Sequence, residues 1–385
     1  MGRALCFEKI KTFLSFLLTK QERYSIISSV SRRRHSQAVR QKSAKLLFPG
    51  SIPGVAFSNP ALYGAGFLLF IRLFSSPRSA VVYTQGESIM VKRNSPKGIV
   101  FLVTAAVVWG FAFVAQNIGA DSVPAFFFNG ARFILGAVSL IPVIAIFERG
   151  AKDKAMLKTT LLAGLLAGVL LCTASYLQQV GIELTDTSGK AGFITGLYMI
   201  IVPIIGLFFR QKTGILTWVG AFCGVVGLFL VCMSGGKLTF TKGDVFLIGC
   251  AVVYALHIIW IDRFGDRVYS LRFSMIQFAA AAVLNFIGSA IFETVTLAGF
   301  QAAFMPILYC GIMSTGVAYT CQVLGQKYSE PTSASIILST ESVFSAIGGA
   351  LILHERMSAA AYAGCVLIFA GIILSQLKLK KKSNT

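Results

Sequence analysis

The chain has 385 residues, 55% of them hydrophobic and 13% charged, with a mean hydropathy of +0.74, values that exclude an ordinary soluble globular domain. A formal charge of +20 suggests a nucleic-acid partner. Its placement, in the N-terminal stretch and in alternate connections between apolar runs, excludes that partner and points to a membrane.

Residues 1–89 hold 13 Lys and Arg against 3 Asp and Glu, so they carry half of the net charge. Basic clusters such as Ser31–His35 alternate with apolar pieces too short to span a bilayer, and Arg72 interrupts the longest. No secretory signal is present: no single apolar core of the right length precedes a small-residue cleavage site. Met90 opens a short basic leader into the first long apolar run. Gln85-Gly86-Glu87, just upstream, are encodable by a ribosome-binding sequence. Residues 1–89 are therefore expected to be a basic extension, non-native or disordered, with Met90 as the start.

Ten apolar runs follow, each close to the ~20 residues a spanning helix needs. Gly98–Gln116, Ala191–Phe209, Gly214–Met233, Phe273–Phe292, Ala302–Gly325 and Ser358–Gln376 contain no Asp, Glu, Lys, Arg or His. Phe126–Phe147 holds Arg132, Leu157–Val180 holds Lys158 at its edge, Gly243–Ile261 holds Asp244 and His257, and Ser333–Leu353 holds Glu341. With the N-terminus of the first run inside, seventeen Lys and Arg fall in inside regions and four (Lys190, Lys237, Lys242, Arg356) outside. That bias places both ends of the ten-helix body in the cytoplasm. Eight cysteines are scattered without a metal-ligand spacing and are expected as small buried residues.

The apolar body is written twice. "KGIVFLVTAAVVWG" from Lys97 returns as "KGDVFLIGCAVVYA" from Lys242. At this offset of 145, Trp109 falls on Tyr254, Phe133 on Phe278, and the "IFE" ending at Glu148 on the "IFE" ending at Glu293. After a one-residue slip, Gln178 falls on Gln322, Gly220 on Gly364 and Gly227 on Gly371. Five spans per copy is an odd number, so the second copy enters the membrane the other way up. The expected fold is an all-α membrane protein of ten transmembrane helices in two inverted five-helix repeats, 97–233 and 242–377, with a basic cytoplasmic tail at 378–385. Small residues at helix-packing spacing (Gly164/Gly168, Gly220/Gly224, Gly348/Gly349) are assigned to close approach within the fold, with homodimerisation as the alternative.

Three stretches carry a resemblance to a known family: Ala106–Asp121, Asn129–Val138 with Arg132, and Ala334–Ser358. Together with the duplicated architecture they resemble the EamA-type transporters of the drug/metabolite transporter superfamily, over about residues 97–377. Where that family has Glu-Pro in its ninth helix this chain has Glu341-Ser342, and His354 replaces the Gly before Glu355-Arg356. Loss of the proline predicts a straighter ninth helix; Pro203 predicts a break in the fourth. The resemblance implies a secondary transporter, an exporter or exchanger of a small organic metabolite such as an amino acid, working by alternating access in a bacterial cytoplasmic membrane.

Candidate site residues are polar or aromatic side chains inside spans, where an unpartnered polar group is costly. Glu341, near mid-span, reads either as a substrate-amine or proton-coupling carboxylate or as a structural hydrogen-bonded one. His257 is a cavity ligand, a proton carrier, or a neutral imidazole bonded between helices; Arg132 faces the cavity or snorkels. Trp109/Tyr254 and Gln178/Gln322 are repeat-equivalent pairs, and Tyr176, Tyr198 and Tyr319 add hydroxyls. No catalytic motif, nucleotide-binding loop or metal set occurs, so no enzyme activity, cofactor or metal is expected. The expected partners are the small-molecule substrate, the lipid bilayer and a coupling proton. The rivals are a membrane-embedded enzyme and a non-transporting sensor or assembly subunit.

Overall fold

The structure is a computed structural model that describes residues 95–150, 152–185, 188–208, 214–232, 241–353 and 358–377. The expectations for residues 1–89, the tail after Leu377, His354, Glu355 and Arg356 lie outside those residues. Every regular element among the described residues is helical. Spans one to three are α1 (Pro96–Ala120), α2 (Ala125–Phe147) and α3 (Lys154–Glu183). Span four is α4 (Ser188–Gly196) with α5 (Tyr198–Phe208), and span five is α6 (Ile215–Cys232). Span six is α7 (Lys242–Phe264), and span seven is α8 (Ser270–Phe292). Span eight joins α9 (Leu297–Tyr309), a π-helical segment (Cys310–Tyr319) and α10 (Thr320–Lys327). Span nine is α11 (Pro331–Leu338) with α12 (Glu341–Ile352), and span ten is α13 (Ala359–Gln376). Eight spans are long and apolar enough to cross a bilayer; the fifth and tenth are shorter apolar helices. The protein is thus the expected ten-helix membrane bundle.

Helix ends in a bilayer must satisfy their first N–H groups within the protein. Ser95 caps α1, where Pro96 sits in the first turn; Asp153 caps α3 through Ala155 and Met156 N–H; Thr241 and Asp244 form a capping box on α7. Spans two and seven cap each other. Glu293, at the end of α8, accepts from Phe126 N (2.7 Å) and Phe127 N (2.8 Å) at the start of α2. Glu148, at the end of α2, accepts from Leu271 N (2.8 Å) and Arg272 N (3.0 Å) at the start of α8. All four donors and both carboxylates are related by the 145-residue offset. Equivalent clamps at opposite ends of one antiparallel helix pair require the two repeats to point in opposite directions.

The halves interweave. Span one packs on spans eight and nine of the second repeat, and span six on spans three and four of the first. Spans five and ten close against each other backbone to backbone: a Cβ on Gly220 would strike Gly371 O, and one on Gly227 would meet Gly364 O at 2.6 Å. Those four glycines are the repeat-equivalent pairs with partners exchanged, so they serve approach within the fold.

Both breaks differ from expectation. Span four is interrupted at Leu197, and Pro203 lies inside α5; Leu197 N reaches Ile194 O and Ile200 N reaches Leu197 O, bonds one residue tighter than a helix makes. Span nine is interrupted within two residues of the equivalent place, at Ser339–Thr340, without a proline. There Ser339 Oγ donates to Ile336 O and Thr340 Oγ1 to Ile337 O, side-chain bonds that compete with the helical ladder. Span eight is not a plain helix either. Its π segment makes it 31 residues against 30 for span three, and the connection before it is two residues shorter, which together give the one-residue slip between the repeats.

Candidate functional site

The two breaks bring Tyr198 and Glu341 to the starts of α5 and α12, where spans four and nine cross at mid-depth. Tyr198 OH donates to Glu341 Oε1 at 2.9 Å, joining the repeats. Around this bond lies a cavity of about 20 Å³, room for about one water. Eight of the ten residues singled out from sequence line it: Trp109, Arg132, Gln178, Tyr198, Tyr254, Tyr319, Gln322 and Glu341.

Most of them are held by named contacts. Arg132, 1% exposed, donates from Nε to Asn129 Oδ1 (2.9 Å), and Asn129 Nδ2 donates to Ser175 O (3.1 Å), tying span two to span three. Its guanidinium lies 4.9 Å from the Phe133 ring, and Nη2 has no hydrogen-bond partner. Trp109 Nε1 donates to Ser314 O (3.1 Å) within the π segment, and its ring meets Tyr319 edge-on at 4.6 Å. The Tyr254 and Tyr319 hydroxyls share a 2.8 Å hydrogen bond, and Tyr254 OH also donates to Gln178 Oε1 at 3.4 Å.

The basic and the acidic group stay apart. Among the described residues no ion pair joins Arg132 to Glu341; the two that occur are Lys190–Asp244 and Arg272–Glu148. Three atoms of lining residues are buried without a partner: Arg132 Nη2, Gln116 Oε1 and Gln322 Oε1. Buried polar atoms are normally bonded, so three unsatisfied ones around one space mark a place for water or ligand. No group of three or more His, Cys, Asp or Glu able to hold a metal occurs among the described residues.

His257 and Tyr176 lie elsewhere. His257 is fully buried behind the wall, its Nε2 2.9 Å from Gln277 Oε1 and its ring edge-on to Tyr319 at 6.3 Å. Tyr176 is half-buried and stacks on Phe126 at 3.9 Å. Phe113, Gln116, Ile258, Ser314 and Leu338 also line the cavity and were not singled out. Helical spacing contained a signal for three of them. Phe113 and Gln116 follow Trp109 at i+4 and i+7, and Ile258 follows Tyr254 at i+4. Phe113 and Ile258 are also repeat equivalents, so three symmetric pairs flank the cavity.

The profile of the EamA-like transporter family matches residues 96–233 and again 241–377. The chain is 27% identical over 279 residues to an uncharacterized transporter of Archaeoglobus fulgidus, covering 72% of this chain and 85% of that one. It is 25% identical over 291 residues to the uncharacterized transporter YoaV of Bacillus subtilis, covering 73% and 97%. A solved crystal structure aligns with a TM-score of 0.59 at 19% identity, over 72% of this chain and 96% of that one, a likeness of fold. With both repeats matched and the membrane bundle in place, the chain belongs to the EamA-like transporter family and is a membrane transporter of the drug/metabolite type.

Proposed function

We propose that the protein is a secondary transporter, an exporter or exchanger, of a small zwitterionic metabolite such as an amino acid. The supporting observation is the pair of buried ionisable groups of opposite type, Arg132 from the first repeat and Glu341 from the second, that line one cavity without pairing. A ligand anion fits the free Nη2 of Arg132, and a ligand amine fits the Glu341 carboxylate beside Tyr198. The aromatic wall of Trp109, Tyr254 and Tyr319 suits an apolar or aromatic side group. Gln178 and Gln322 complete the polar lining, while His257 and Tyr176 act from outside it. Such a ligand bridges the repeats, so its binding biases their relative arrangement, the requirement for alternating access.

The repeats 97–233 and 242–377 are the two working halves, and residues 1–89 are dispensable to them. The Lys and Arg bias puts both ends of the helical body in the cytoplasm of a bacterial cell, and hence the Lys190–Asp244 end of span four outside. Energy comes from a substrate or proton gradient, with Glu341 as the proton carrier when no amine occupies it. Reconstitution of residues 90–385 in proteoliposomes with radiolabelled amino acids tests this. Counterflow of a zwitterion that Arg132→Gln abolishes is the expected result. Movement of uncharged or purely cationic solutes that Arg132→Gln leaves unchanged overturns it.

A further inference from the structure

The two seams that shut the cavity from the membrane faces are built from different residues. On the face carrying Lys190 and Asp244, α4 lies against α12. A Cβ on Gly192 would meet Ser342 Cα and Ser345 Cβ, each at 3.3 Å, and one on Gly196 would lie 3.7 Å from Ser342 Oγ. Ser345 Oγ donates to Ser188 O at 3.1 Å across the seam. The hydroxyl of Ser188, fully buried beside that bond, has no partner. On the opposite face α5 lies against α11. The 144-residue offset puts Ile336 where the first seam has Gly192, Tyr198 where it has Ser342, and Ile201 where it has Ser345. Ile336 is fully buried in a cluster with Met199 and Val343.

We infer that the α4–α12 seam is a polar gate, that the α5–α11 seam is an apolar one, and that the empty transporter opens more readily through the first. This rests on alternating access as proposed above and adds an inequality between its two gates. Parting the first seam exposes glycine and serine and gives water the Ser188 hydroxyl, which already lacks a partner. Parting the second exposes isoleucine and a tyrosine ring to water with no comparable gain, since the Ser335 hydroxyl of α11 already donates to Thr332 O at 2.8 Å. The empty protein therefore samples opening toward the Lys190–Asp244 face more often, and substrate entering from the other face must supply the difference through its own contacts.

The test is thiol labelling in a background with the eight native cysteines replaced, using a charged, membrane-impermeant methanethiosulfonate and no substrate. Ser345→Cys is nearly isosteric and should react from the Lys190–Asp244 face about tenfold faster than Ile201→Cys reacts from the opposite face, since one extra large apolar side chain exposed on opening is worth that factor. Gly192→Leu, which fills the seam, should suppress the Ser345→Cys reaction, and melting curves on each variant establish that the bundle is folded. Equal rates, or faster reaction at Ile201→Cys, overturn the inference. So does a folded Ser345→Cys protein that stays unreactive. Labelling requires no transported solute, so failure to move any tested metabolite would count against the proposed function and leave the gate result standing.

Discussion

Removing one of the two reciprocal carboxylate clamps measures what holds spans two and seven together. Glu293→Ala deprives two backbone N–H groups, those of Phe126 and Phe127, of their acceptor. Loss of a helix cap costs about 1 kcal/mol, and the lost attraction between the carboxylate and the helix dipole adds ~0.3–1 kcal/mol. With two donors orphaned and lipid limiting replacement by water, Glu293→Ala should destabilise the bundle by about 2–3 kcal/mol. Glu293→Gln keeps one acceptor oxygen and should cost about half of that. Glu148→Ala should cost somewhat more than Glu293→Ala, because it also removes the Glu148 carboxylate from Arg272 Nε, 3.8 Å from Oε2, while the Arg272 Nη2 bond to the Glu148 main-chain carbonyl survives. The clamps sit at opposite ends of a 23-residue helix, roughly 34 Å apart at 1.5 Å per residue, so the double variant should show the sum of the two losses. Unfolding by sodium dodecyl sulfate in mixed micelles, followed by tryptophan fluorescence, reads the differences. A Glu293→Ala protein within ~0.5 kcal/mol of the parent would mean that the clamp holds nothing, which lies below any cap loss of the expected size.

Glu341→Gln should abolish transport at near-normal stability if the carboxylate binds an amine or carries a proton, whereas Glu341→Leu should also lower the melting temperature by stranding the Tyr198 hydroxyl, at about 1–3 kcal/mol. A fully active Glu341→Gln protein ends the coupling role. Gly371→Leu drives a side chain into Gly220 O, 2.5 Å from an ideal Cβ, and should cost ~3 kcal/mol or prevent accumulation in the membrane, read by detergent-solubilised yield and melting curve. Cysteine reporters between Asn117 and Pro124 and between Glu293 and Gln301 should label from outside intact cells, and reporters at Gly150 and Arg267 should not. The opposite pattern would invert the assigned topology.

The bundle was legible because a bilayer leaves a chain few options: long apolar runs, one sign of charge in alternate connections and an odd-numbered repeat dictate ten helices in two inverted sets. The cavity was legible in part for the same reason. Polar side chains inside spans must meet something, and equivalent positions in inverted repeats fall near the same axis, so Trp109/Tyr254 and Gln178/Gln322 were found together. His257 was not separable from a cavity residue in sequence, because its partner Gln277 lies on a different span. Tyr176 fell outside because it lies on a face of span three that packs against Phe126. The breaks were misplaced because proline was taken as the breaker. At Ser339–Thr340 local hydroxyl-to-carbonyl bonds do that work, and serine and threonine are too common in membrane helices to announce it. The repeated "IFE" marked the duplication, but a carboxylate that caps a helix 145 residues away is visible only once both helices are packed.

The symmetry that survives and the symmetry that has been lost occupy different parts of the molecule. Backbone-level contacts are matched across the repeats: the Glu148 and Glu293 clamps, the exchanged glycine pairs of spans five and ten, and the interruptions of spans four and nine. A scaffold matched in this way gives two oppositely tilted arrangements similar internal energies, which a carrier must have to visit both. Three symmetric pairs line the cavity, but its ionisable side chains and the seams beside it are not matched. Arg132 answers to Gln277, Glu341 to Leu197, and Gly192 in one seam to Ile336 in the other. A substrate with unlike ends can then bind in one orientation only, and the two arrangements differ in energy by what these few residues expose or pair. On the proposed reading, directionality resides in these few positions, and Arg132→Gln should abolish the preferred substrate orientation while the caps and glycine contacts keep the fold.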